Sequence, residues 1–173
     1  YFYLYEDLEY TTLPCSSEPI ATAGQNEILA RSAFAYPIGS SINFSMEGNG
    51  VDYTGSGWGL PEGWGTWTVS EQAEIHLPLG SPLGCGAILS AEVMPFLTPL
   101  HPKLTAIVIY QDAVIGKWSF ARTGFVSLAL NIGADLISGD AHPRFRFLIA
   151  DPRSPAEIGQ IASGLVHELK NPL

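Results

Sequence analysis

The run Val126-Ser127-Leu128-Ala129-Leu130-Asn131-Ile132 changes character at every residue. A period of two puts Val126, Leu128, Leu130 and Ile132 on one face of an extended chain and the small or polar residues on the other. The same period recurs at Ile42, Phe44 and Met46, at Ile75, Leu77 and Leu79, and at Phe145, Phe147 and Ile149. Residues 86–96 and Leu104–Tyr110 are apolar at successive positions and read as central strands covered on both faces. Turn residues separate these runs at 48–50, 80–82, 98–99, 111–112 and 138–140. Short strands at such spacing predict an all-β chain: an antiparallel β-sandwich, jelly-roll-like, with one or two short helices.

Composition agrees. The 173 residues include 18 Gly and 13 Pro, and only 14% are charged, against roughly 25% in an average soluble domain. Eight Lys and Arg against 17 Asp and Glu leave a formal charge of −9. Few scattered cations cannot follow a phosphate track, so no nucleic-acid partner is expected. No apolar stretch reaches the roughly 18 residues of a membrane helix.

The ends are less regular. Residues 1–12 carry five aromatics among acids and read as either a strand or a stalk beside a membrane. Residues 13–40 are rich in Pro, Ser, Gly and Ala, with a helical candidate at 26–34. The expected division is therefore an irregular extension or stalk at 1–40 and a β-sandwich domain at 41–173. Ser154-Pro155-Ala156-Glu157 has the form of a helix capping box. A helical turn at 155–162 followed by a closing strand at 164–170 is expected there, with one helix through 170 as the competing reading. Cys15 and Cys85 give one possible disulfide, which implies an extracytoplasmic site; two free thiols fit equally.

The densest chemistry lies in residues 55–67, GSGWGLPEGWGTW. An indole exposed on a rigid loop stacks on the apolar face of a sugar ring, and a carboxylate beside it accepts hydroxyl hydrogens. Trp58, Glu62, Trp64 and Trp67 are thus the candidate glycan-binding residues; the bland alternative is that the indoles plug a loop against the sandwich. The histidines (His76, His101, His142, His167) are dispersed, with no pair at metal-ligand spacing. No catalytic motif occurs, and no spacing fixes two of Asp135, Asp140, Asp151 and Glu157 as a glycosidase pair. No catalytic residue, metal site or cofactor is expected, with Ca²⁺ at the turn residues Asn49, Asp52 and Asp112 as the alternative.

Gly57-Trp58, Pro61-Glu62 and Trp64-Gly65-Thr66-Trp67, the hairpin from Val108 to Trp118, and Ser154-Pro155 with Glu157 and Gly159 together resemble a β-sandwich domain. That domain belongs to bacterial membrane-bound glycosyltransferases and phosphoglycerol-transferase-like proteins. The resemblance spans 42–170. The family's usual Asn-Gly turn is Gln111-Asp112-Ala113 here, and its polar stretch after Gly159 is shortened. It implies an extracytoplasmic, non-catalytic, carbohydrate-binding-like module tethered to a membrane-embedded parent, which binds or positions a glycan or lipid-linked sugar. Residues 159–173, GQIASGLVHELKNPL, also resemble the phospho-acceptor segment of sensor histidine kinases, in which His167 stands where the phosphorylated histidine does and Glu168 is its neighbouring base. That resemblance implies a sensor or linker fragment truncated at its phospho-acceptor segment. A third reading is a purely structural interaction domain.

Overall fold

The computed structural model describes residues 2–13 and 35–150. Nine strands occur among them: β1 (Phe2–Thr12), β2 (Ser41–Ile42), β3 (Thr66–Trp67), β4 (Gln72–His76), β5 (Ala87–Pro95), β6 (Leu104–Tyr110), β7 (Ala113–Phe120), β8 (Val126–Ile132) and β9 (Arg144–Ala150). One short helix, α1 (Ala134–Ile137), and a 3-10 turn at Gly50–Asp52 interrupt the connections. All pairings are antiparallel. One sheet runs β2-β1-β5-β8, with β3 also on β1; the other runs β4-β9-β6-β7. The expected all-β sandwich is the fold of the described residues.

The alternation decides what the two sheets enclose. Leu89, Ala91 and Val93 of β5 are buried against Ala106, Val108 and Tyr110 of β6 and Phe145 and Phe147 of β9. Tyr10 of β1 meets Phe145 of the opposite sheet edge-on, with ring centroids 5.7 Å apart. Val126, Leu128 and Leu130 pack on this core, and Ile132 is fully within it. Both runs read as central strands are central: β5 lies between β1 and β8, and β6 between β9 and β7.

Of the two readings of residues 1–12, strand or stalk, the described Phe2–Thr12 take the strand. These residues are β1, which pairs along its length with β5 and on its other side with β2 and β3. A register shift separates the pairings of Leu4 and Leu8 with β5, yet Leu4, Leu8 and Tyr10 keep the period of two and all lie in the core. Each sheet has a chain end of the described fold in its interior: β1 lies beside β5, and β9, the last described strand, lies between β4 and β6. The 26–34 helix, the 155–162 turn and the 164–170 strand lie outside the described residues.

Two alternating stretches are only partly strands. After Ile42 the Asn43 side chain accepts the Ser45 N–H at 2.8 Å and its carbonyl accepts the Gly50 N–H at 2.7 Å. These local bonds coil the chain, so Phe44 is buried but Met46 is 69% exposed. Beyond β4, Pro78 cannot donate to a ladder. Leu77 and Leu79 nonetheless stay in the core, their N–H groups donating to Pro143 and Ala141.

A polar lock closes the opposite end of β6. The Tyr110 hydroxyl and Gln111 amide donate to Asp140, which also accepts the His142 N–H. Burial works to raise the Asp140 carboxyl, but these donors hold it below the usual range. Burial first, then the bonded Asp140, pushes Tyr110 strongly up; burial and the same carboxylate push Tyr10 up to about 12. Gln111, in the left-handed region at φ 54°, makes the two-residue turn of the β6–β7 hairpin.

Candidate functional site

The outer face of the β1 sheet carries a row of large side chains at one end of the sandwich. Trp67 of β3 pairs with Tyr3 of β1, and Tyr3 pairs with Met94 of β5. Val93 pairs with Val126, so Phe125, one residue before β8, extends the row past Met94. The rings of Tyr3 and Trp67 lie 4.6 Å apart, and Trp67 meets Phe96 edge-on at 6.2 Å. Thr123, Phe125, Phe96, Leu97 and the loop residues Glu62 and Trp64 complete a groove of about 490 Å³.

The loop above this row is built from tight backbone contacts. Glu62 N–H donates to Gly65 at 2.7 Å, and the Glu62 carbonyl accepts the Met46 N–H at 2.7 Å. Gly65 is buried where the loop crosses β1; a Cβ there would stand 2.2 Å from the Leu4 carbonyl oxygen. Only glycine permits that approach. The result holds Glu62 at the rim with Trp64, 55% exposed, beside the half-buried Trp67.

Of the four sequence-predicted residues, Glu62, Trp64 and Trp67 thus meet in one groove, and Trp58 does not line it. The Trp58 ring lies near-parallel to Phe44 and edge-on to Phe147, with centroids 6.1 Å away in each case. Its Nε1–H donates to the Glu74 carbonyl at 2.7 Å. Trp58 therefore seals the core: its indole is packed inward and its polar atom is satisfied. Gly57 before it has φ +87°, and a Cβ there would meet the Gln72 carbonyl oxygen at 1.9 Å. Sequence reasoning missed Tyr3, Met94, Phe96 and Phe125.

The remaining candidates are dispersed. His76 and His142 flank a cleft of about 390 Å³ with Asp52 and Arg144, at the end of the sandwich away from the groove. His76 Nε2 lies 3.3 Å from Glu74 Oε2. Thr98 Oγ1 accepts the His101 N–H. Two of the three side chains offered for Ca²⁺ are engaged elsewhere: Asn49 Oδ1 accepts the Asn43 N–H and Asp112 pairs with Arg146 at 3.0 Å; Asp52 lines the cleft with His76 and His142. Among the described residues no three His, Cys, Asp or Glu side chains gather as a metal site. Cys85 is disulfide-bonded; the sequence's other cysteine, Cys15, lies outside the described residues, as do Asp151, Glu157 and His167. No described helix is long and apolar enough to cross a membrane.

The groove can therefore stack and desolvate a ligand, and offer it one carboxylate. No family model, no curated protein and no solved structure matches this chain.

Proposed function

We propose that this chain is a non-catalytic binding module that takes a sugar ring in the groove beneath Trp64. The observation that carries this reading is the convergence of Trp64, Trp67 and Glu62 with Tyr3 and Phe125 on one concave surface. Indole and phenol faces suit the apolar face of a pyranose, and the carboxylate accepts its hydroxyls. The module binds or positions a glycan for a membrane-bound glycosyltransferase, the parent that the resemblance over 42–170 implies. The disulfide at Cys85 supports an extracytoplasmic setting.

Titration with neutral oligosaccharides, followed by tryptophan fluorescence, tests the reading. Trp64→Ala is expected to weaken binding about tenfold, the equivalent of about 1.4 kcal/mol of stacking, with an unchanged strand signal in circular dichroism. An oligosaccharide panel with no binder at millimolar concentration would instead favour the purely structural interaction domain.

A second reading has its own support. The described residues alone give two sheets with a core between them, so the sandwich reading does not depend on a strand at 164–170. That favours the likeness of 159–173 to a histidine-kinase phospho-acceptor segment, with the sandwich as its input module. The two parents are incompatible: a disulfide belongs to an oxidising compartment, whereas phosphoryl transfer from ATP belongs inside the cell. Truncation after Ala150 decides between the readings. Loss of helical signal with the strand signal intact is expected for the kinase fragment. Loss of strand signal would exclude it.

A further inference from the structure

The groove's charge and its rings narrow the ligand. Among the described residues that line it, Glu62 is the sole acid, and no Lys, Arg or His is present. No described residue pairs with the Glu62 carboxylate. Around it stand the faces and edges of Tyr3, Trp64, Trp67, Phe96 and Phe125. Aromatic faces attract a cation, most strongly when water is displaced, and a carboxylate adds a charge-assisted hydrogen bond. The chain's net charge of −9 also draws cations toward the surface and repels anions. A sugar carrying a carboxylate or phosphate would bring its charge against Glu62 over an apolar floor, with no cation among the described lining residues to offset it.

Resting on the glycan reading, we infer that the groove selects an amino sugar with a free, protonated amino group. The pyranose face lies on the indoles while the ammonium meets Glu62 and the adjoining ring faces. The same chemistry disfavours uronic acids and the phosphate-bearing part of a lipid-linked sugar.

The test compares a glucosamine trisaccharide with its fully N-acetylated counterpart by calorimetric titration at neutral pH. The two share ring geometry and differ in the charge on nitrogen. The deacetylated trisaccharide is expected to bind about tenfold tighter, corresponding to one cation–π contact with its carboxylate partner. Glu62→Gln is expected to erase the preference. Equal affinities, or tighter binding of the acetylated form, would overturn the inference and leave the glycan reading standing. Binding of neither sugar would overturn both. Deacetylated binding that survives Trp64→Ala undiminished would mark attraction to the acidic surface at large, and would also overturn the inference.

Discussion

Phe147→Ala is expected to lower the free energy of unfolding by about 4 kcal/mol, as full truncation of a buried aromatic ring typically does. Phe147 sits in the middle of β9, paired with Ala73 of β4 on one side and Val108 of β6 on the other. It is fully buried. Its ring is offset-stacked on Trp118 at 5.6 Å and meets Trp58 edge-on. Removing it leaves two indoles without a common support, and neither can collapse into the space while its strand or loop stays paired. The loss is a large share of the roughly 5–15 kcal/mol that holds a domain together. Denaturant unfolding measures it as a fall in midpoint with the slope unchanged. The groove is on the outer face of the other sheet, so the folded fraction should still bind ligand with its usual affinity. A loss under about 1 kcal/mol would mean that this ring does not lie in a close-packed interior.

The role of Phe147 shows what the sequence could and could not reveal. The alternation of Phe145, Phe147 and Ile149 is visible at a glance because β9 has one face on the core and is not interrupted. β1 is as deeply buried but harder to read. Its core positions Leu4, Leu8 and Tyr10 keep the period of two, but the acids Glu6 and Asp7 stand between them in the sequence and read as a solvated stalk. β2 and β3 are two residues long, too short for any period. Strand pairing across the sheet, which no local pattern encodes, gives all three their place.

The same limit governs the site. Trp58, Trp64 and Trp67 have near-identical neighbours in the sequence, each next to glycine or threonine. What separates them is distant: Phe44 and Phe147 around Trp58, Tyr3 and Phe96 around Trp67. The groove's second wall comes from β1, β5 and the residue before β8. One signal was present. Phe125 directly precedes Val126 and so falls on the face opposite the core residues of β8, where a large exposed ring (55%) has no packing reason to be. Met94 is likewise out of phase with Val93. Large apolar residues on the wrong face of an otherwise regular strand point to a surface that binds.

Gly65→Ala tests whether that surface depends on the loop resting on β1. The added Cβ would stand 2.2 Å from the Leu4 carbonyl oxygen and 2.6 Å from the Tyr3 ring. Backbone cannot yield as a flexible side chain can. β1 is held by β5 along its length, so the loop is the part that moves. Lifting it undoes the pairing of Tyr3 with Trp67 and of Leu4 with Thr66, and carries Glu62 and both indoles away from Tyr3. Stability is expected to fall by about 2–3 kcal/mol, the usual range for an overpacked site. Ligand affinity should fall further than in Trp64→Ala, because the platform loses its shape as well as one ring. Gly63→Ala is the matched control: it lies two residues away in the same loop, and its added methyl meets nothing within 4 Å. Unfolding midpoints and ligand titrations on the two variants give the comparison directly. If Gly65→Ala matches Gly63→Ala in both, the loop does not bear on β1, and the groove cannot owe its form to that contact.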